Sequence, residues 1–316
     1  MSDQDFYLPS HLGESTVRQT HENRILDFSD TMNSEIMPEW LWFSETKPIP
    51  TRLKSGLLPR LCEHVTATNP AEYLLEARKR KASKGQILVL DGSDGRADTI
   101  QLWLRHLRRD PRTSALPILV WSHAGKLPDF DPRLDYFRLA PDGVIGRTGW
   151  KDSDHWVQRI ESILNLRMRR NFHIDVHIDM SSRPESLERT CEWILHCAEL
   201  VPWMKSRHSK LRQAVIELGQ NAIEWGNHGD LSKSVRIRLR SDDRCLHLSV
   251  ADEGKGFNPT DLPHAADEED PIRHMEVREQ MGLREGGFGI LITRGLVDRM
   301  KYNSAGNEVQ VTLRHQ

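Results

Sequence analysis

The chain is 316 residues long, 37% hydrophobic and 28% charged, with a formal net charge of -2. That length accommodates two domains of ordinary size, and the near-neutral balance excludes a broad attraction to nucleic acid or to an anionic membrane. Met1 leads into polar residues rather than a signal peptide, no apolar run is long enough to span a membrane, and Cys62, Cys191, Cys197 and Cys245 include no C-x-x-C pair. A reduced, cytoplasmic protein without a zinc site or disulfide framework is therefore expected.

Residues 1–37 are polar and aperiodic, and read as a mobile leader. Residues 38–170 alternate strand-like and helix-like runs. Leu41-Trp-Phe43 is a short strand, Ser55 to Glu63 a helix, His64-Val-Thr66 a weak strand and Pro70 to Lys81 a helix. Gln86-Ile-Leu-Val-Leu90 is a buried strand ending in Asp91. Asp98 to Arg109 is an amphipathic helix, Leu116 to Trp121 a second buried strand, Asp142 to Ile145 a last short one, and Ser153 to Arg169 a helix. Nearly continuous apolar strands spaced by helices predict an α/β domain, a parallel sheet with helices on both faces.

From residue 171 to 316 the pattern changes. His173 to Met180 alternates at period two, as a half-exposed strand does. Helices are expected from Ser182 to Leu200 and from Ser206 to Trp225, the second with Leu211, Val215, Leu218 and Ala222 on one stripe. Val235 to Leu239 and Cys245 to Val250 form an antiparallel pair, Phe288 to Met300 a helix and Glu308 to Leu313 a closing strand. The expected fold is an α+β sandwich with helices layered on one face of the sheet.

Three motifs in this second half carry chemistry. Glu217 and Asn221 sit four apart, so one helix face presents both. The Asn amide oxygen suits magnesium, and the Glu could act on a water or hydroxyl beside a γ-phosphate. Asp252-Glu-Gly254-Lys-Gly256-Phe257 places a carboxylate at a strand end, before a turn that side chains would obstruct. Gly286-Gly287-Phe288-Gly289 opens an apolar helix, where backbone N–H groups can face phosphate oxygens. Taken singly, each admits a plainer reading: a solvated helix face, an Asp/Gly hairpin, a glycine loop. In this order and spacing they read together as a nucleotide pocket.

On these motifs residues 171–316 resemble an ATP-binding domain of the GHKL superfamily, in the branch of anti-sigma-factor serine kinases. Asp298, late in the third motif, and Gly306-Asn307-Glu308-Val309 before the closing strand also fit. The resemblance implies Glu217 as catalytic base, Asn221 as the magnesium ligand, and Asp252 as the adenine contact. Gly254, Gly256, Gly287 and Gly289 would form the phosphate and lid turns, with Gly286 in the same cluster. ATP and magnesium would be the cofactors. The partner would be an anti-anti-sigma-type protein, with a sigma factor as the competing partner, and a homodimer is implied on the same ground. The chain departs from the family in two places. Trp225 stands where the family has a His, and Asn258 to Glu285 is a long, charged lid carrying Asp267-Glu-Glu-Asp270, Arg273, Arg278 and Arg284. No histidine has the setting of a histidine-kinase phosphoacceptor. Trp193, Trp203 and Trp225 read as packing residues, and Arg78-Lys-Arg-Lys81 as a solvated helix end.

Upstream, Asp91 at the end of a buried strand and the stretch from Leu107 to Ser122 resemble a response-regulator receiver domain. That implies Asp91 as phosphoacceptor and Ser122 as the switch hydroxyl. The match is degenerate: Ser44-Glu45 offers at most one of the two metal-binding acids, and Arg147 replaces a Lys, which is not a neutral swap. A pseudo-receiver used for dimerisation or partner contact is the plainer reading. The leading expectation is an intracellular signalling ATPase: a receiver-like domain gates transfer of phosphate from ATP to a Ser or Thr of the partner. A non-catalytic module that sequesters a partner, with or without nucleotide, is the alternative. A switch driven by ATP hydrolysis alone is the third reading.

Overall fold

Strands buried on both faces read as unbroken apolar runs, and the first sheet is built from such runs. In the computed structural model, which describes residues 39–44, 65–68, 86–92, 97–111, 113–123, 126–127, 129–146, 172–257 and 288–315, the first strands are β1 (Glu39–Phe43), β2 (Val65–Thr68), β3 (Gln86–Asp91) and β4 (Ile118–Ser122). After β5 (Phe137–Ala140), β6 (Gly143–Gly146) closes a parallel five-stranded sheet of order β2-β1-β3-β4-β6. The order reverses between β1 and β3, the topological switch point of doubly wound sheets. Every residue of β4 is buried. Helix α1 (Ala97–Arg109) buries Ile100, Leu104 and Leu107 at helical spacing and adds them to the core that β3 and β4 share. The helices expected at 55–63, 70–81 and 153–169 lie outside the described residues, as does the leader.

The second sheet is antiparallel throughout. It comprises β7 (Ile174–Ser181), β8 (Ser234–Ser241), β9 (Cys245–Ala251), β10 (Arg299–Tyr302) and β11 (Glu308–Arg314). Its order is β10-β11-β9-β8-β7-β5. β5, which lies between β4 and β6 in the chain, thus leaves the first sheet and joins the second, with Phe137 opposite Met180 and Leu139 opposite Ile178. Nothing in the sequence reading anticipated this strand. Its outer edge is covered by α1: the Gln101 amide donates to the Leu139 carbonyl and accepts from the Leu139 N–H, both at 2.8 Å, and Arg105 donates to the Phe137 carbonyl. An unpaired edge would invite other strands, so this covering has a physical use.

On one face of the second sheet lie α2 (Pro184–Ala198), a 3₁₀ turn at Pro202–Arg207 and α3 (His208–Asn221), which runs into a π-helical turn at Ala222–Gly226. Trp193, Ile194, Cys197, Leu211, Val215 and Leu218 are all buried there. Each fully buried side chain of this kind stabilises the fold by about 1.5–3 kcal/mol. One apolar core runs from Leu88 and Val120 through Phe137 and Leu139 to Ile178 and Leu248, and the described residues of both sheets belong to one compact unit.

Two expectations need correction. β7 alternates as expected from Val176 to Met180 but not at its start: Asp175 is buried as well as Ile174 and Val176, because Arg238 pairs with both its oxygens at 3.2 Å. The expected helix from Phe288 to Met300 is α4 (Gly289–Leu296) followed by β10. The break falls at Val297, which is extended, and at Asp298, whose N–H donates to the Thr312 carbonyl and starts the pairing with β11. Asp298 also accepts from the buried Arg207 at 2.9 Å and from the Arg314 N–H at 2.8 Å, so it pins the end of α4 to β11 and to the start of α3.

Candidate nucleotide site

α3 turns its apolar stripe, Leu211, Val215 and Leu218, to the sheet and leaves Glu217 and Asn221 half-buried on another side. That side forms one wall of a cavity of about 920 Å³, within the range of about 300–1,000 Å³ typical of small-molecule sites. The same cavity is lined by Asp252, Gly254, Gly256 and Gly289. Six of the eight glycine, acid and amide positions expected from the sequence therefore meet around one space. Gly286 and Gly287 lie outside the described residues, as do the lid from Asn258 to Glu285 and its arginines.

Glu217 is held from one turn earlier: the Gln213 amide donates to Glu217 Oε1 at 2.7 Å. A Cβ at Gly289 would lie 2.5 Å from Glu217 Oε2 and 3.7 Å from Asn221 Nδ2, so the first residue of α4 packs directly against these two side chains at the edge of the cavity. Only the two hydrogens of a glycine leave that gap open. The protein donors here are an amide oxygen and a carboxylate, beside open volume. That set fits magnesium, which takes one or two protein oxygens and keeps waters and phosphate oxygens for the rest.

Asp252 follows β9. Its N–H donates to the Asn307 carbonyl, and its Oδ1 accepts from the Gly254 N–H at 2.8 Å. Burial pushes its carboxyl above the usual carboxylate range, opposed by the Gly254 N–H and by the charges of Lys233 and His228. A Cβ at Gly226 would collide with the Asp252 carboxylate, and one at Gly254 with the Gly226 carbonyl. Gly256 adopts φ +75° where it passes the Ala305 carbonyl. Gly226 and Gly254 thus let two chain segments close around the Asp252 carboxylate, and Gly256 lets the turn pass the backbone of Ala305 and Asn307.

Sequence reasoning missed three residues. Trp225 is not a packing residue: it is 37% exposed and lines the cavity. By contrast Trp193 is buried, and Trp203 stacks on His315 at 5.4 Å. Gln213, which orients Glu217, and Asn227, which is fully buried, carried no motif to announce them. In the first sheet, Asp91 lies half-buried at the carboxyl end of β3, where the Ser44 hydroxyl donates to it at 3.0 Å across the switch point. Ser122 is buried, its hydroxyl donating to the Lys126 carbonyl at 2.8 Å. Glu45 and Arg147 lie outside the described residues.

Residues 180–313 match the family model described as the histidine kinase-like ATPase domain. The match supports a GHKL-type segment here. Over 94 residues the chain is 31% identical to the serine-protein kinase RsbW of Oceanobacillus iheyensis, a match covering 30% of this chain and 56% of that protein. The chain therefore spans little more than half the length of the curated relative it matches. The family match begins at Met180, at the end of β7, so β5 lies outside it. Among the described residues no helix is long and apolar enough to cross a membrane.

Proposed function

We propose that this protein is a signalling kinase of the partner-switching kind, binding ATP with magnesium and phosphorylating a Ser or Thr of an anti-anti-sigma-type protein. The observation that carries the reading is the meeting of Glu217, Asn221, Asp252 and Gly289 around one cavity large enough for a nucleotide. Asp252 would accept a hydrogen bond from the adenine amino group, Asn221 would hold magnesium, and Gly256 and Gly289 would flank the phosphates. Magnesium, when bound, supplies positive charge to the phosphate oxygens. Glu217, oriented by Gln213, would take the proton from the attacking hydroxyl as its oxygen bonds to the γ-phosphorus. The bond to the bridging oxygen then breaks and ADP leaves. General-base help of this kind contributes about 10²–10⁴-fold in rate.

The test is transfer of radiolabel from γ-labelled ATP to proteins captured from native extract. Transfer lost in Glu217→Ala, with ATP binding retained, supports the kinase. Saturable ATP binding that weakens in Asn221→Ala supports the pocket, and calorimetry showing no nucleotide binding would remove the enzyme reading altogether. A second reading, a non-catalytic module that sequesters a sigma-factor or other regulatory partner, is favoured by Trp225, which stands in the cavity wall where the resembled family has a His. Partner capture that is equal in wild type and Glu217→Ala, without label transfer, would select it. For the parallel-sheet half we favour a pseudo-receiver that gates the kinase through contact. Mass spectrometry after treatment with a small phosphodonor and magnesium tests the competing role of Asp91 as phosphoacceptor.

A further inference from the structure

Asn227 is 0% exposed, yet its side-chain amide spends both its hydrogens and its oxygen. Nδ2 donates to Ser182 Oγ at 2.8 Å and to the Ser234 carbonyl at 2.9 Å, and Oδ1 accepts from the Glu253 N–H at 2.8 Å. Those three partners lie in different segments: the residue after β7, the first residue of β8, and the turn after β9. The backbone beside it is unusual. The π-helical turn ends at Gly226, the Asn227 N–H reaches back to the Ala222 carbonyl, and His228 takes φ 57°. The extra residue per turn of a π-helix moves Gly226 against the Asp252 carboxylate and Asn227 beneath the Asp252–Gly254 turn. Turns of this type occur often at functional sites.

The Asp252–Gly254 turn is then fixed from two sides. Asn227 holds the Glu253 N–H from below, while Ser234 holds the Glu253 side chain through its N–H and hydroxyl, at 3.1 and 2.5 Å. From the other side the Asn307 carbonyl takes the Asp252 N–H, and the Asn307 amide reaches the Gly254 carbonyl at 3.4 Å. The contact with Asn307 comes from a surface hairpin, whereas Asn227 is inside the fold. A buried, fully satisfied amide of this kind is costly to leave half-paired, so its geometry is sharply defined.

We infer that Asn227 is the positioning residue for base recognition: by clamping Glu253 to β7 and β8 it fixes the Asp252 carboxylate where it reads a 6-amino group. The inference rests on the nucleotide reading of the preceding subsection. It makes Asn227 a determinant of which purine is bound, acting through Asp252 rather than touching the ligand.

The test compares ATP with purine riboside triphosphate, which lacks only the 6-amino group, by calorimetry on the full chain with magnesium. Wild type should prefer ATP by about tenfold or more, as the loss of a hydrogen bond to a charged group predicts. In Asn227→Ala that preference should fall to within about threefold, chiefly through weaker ATP binding. A loss of stability alone would lower both affinities in step and leave the ratio unmoved. Asn227→Ala with the full wild-type preference overturns the inference. If that variant does not fold, Asn227→Asp decides: it keeps the acceptor for Glu253 but loses the two donors that tie it to Ser182 and Ser234, so the clamp is released and the preference should fall to within about threefold. Asn227→Asp with the full wild-type preference also overturns it. Wild type that fails to bind ATP, or binds both ligands equally, refutes the nucleotide reading itself.

Discussion

Replacing Asp252 with Asn separates binding from folding, because the structure sets the two against each other. Burial raises the Asp252 pKa above its value in the unfolded chain, with the Gly254 N–H, Lys233 and His228 opposing. A raised carboxyl favours the folded state in its protonated form, so its contribution to stability is present below the unfolded pKa of about 3.9 and is lost as the pH rises through the folded value. At pH 7 the ionised carboxylate is therefore a net cost to folding, and Asp252→Asn should be at least as stable as wild type. The gain should stay below about 1 kcal/mol, because the group is only half-buried and water screens it. It should vanish on acidification towards pH 4. Binding moves the other way. Oδ1 is committed to the Gly254 N–H, so an Asn would turn its oxygen there and present its NH₂ to the ligand's amino group, donor against donor. Losing a hydrogen bond to a charged acceptor costs about 1.5–3 kcal/mol, or roughly 10- to 150-fold in Kd. Thermal melts from pH 4 to 8 and calorimetry with ATP and magnesium read both quantities. ATP binding within twofold of wild type, or a variant that melts several degrees lower at pH 7, would refute the reasoning.

Two further substitutions probe the site and the frame beneath it. In Gly289→Ala the new methyl would force Glu217 Oε2 to retreat from 2.5 Å, and the end of a flexible side chain can do so cheaply. We expect an unchanged melting temperature, ATP affinity within about threefold, and phosphotransfer lower by about 100-fold, the scale of a displaced catalytic group. Phosphotransfer equal to wild type would show that Glu217 is not held in place there. Asp142→Ala removes the carboxylate that accepts from Arg108 Nη2 and from the Ile118 N–H, both at 2.7 Å, with the two side chains 1% and 6% exposed. Taking the opposite charge from that buried guanidinium, which keeps the Ser114 and Leu116 carbonyls as acceptors, should cost about 3–5 kcal/mol in urea denaturation. A loss under about 1 kcal/mol would contradict it.

What the sequence made legible follows the kind of interaction involved. β3 and β4 are buried on both faces, so their apolar runs are unbroken, and β8 and β9 alternate because one face packs on α2 and α3. β5 has only four residues, too few to establish a period, and its partner begins more than thirty residues later. β10 was hidden because Ile290 to Met300 is apolar enough to continue a helix; the break comes from the pull of β11 on Asp298, a tertiary effect. In the site, Glu217, Asn221, Asp252 and Gly289 were legible because their spacing is local. Gln213 and Asn227 were not, since an amide is informative only once its partners are known. Trp225 was misjudged because an aromatic on a helix face belongs by default to the core, and the π-turn rotates it onto the cavity.

The excursion of β5 makes a last prediction about how the halves depend on each other. A fragment of residues 172–316 contains the whole region matched to the ATPase family, yet it lacks β5 and α1. It would lose the pairing of Phe137 to Ala140 with β7, the packing of Phe137 on Trp193 at 6.3 Å, and the hydrogen bond from Ser114 Oγ to the His173 carbonyl at 2.6 Å. β7 would become a bare edge beside an uncovered Trp193. Such an edge pairs with whatever strand is near, and for this fragment that is β7 of a second copy. Size-exclusion chromatography with light scattering should show the fragment at a higher association number than the full chain, rising with concentration, and its melting midpoint should be lower. A peptide spanning residues 135–141 should reduce the association by filling the edge. A fragment that matches the full chain in association number and midpoint would mean that β5 only decorates the sheet. If the fragment does associate, the parallel-sheet half contributes a strand that the second sheet itself requires to close its edge.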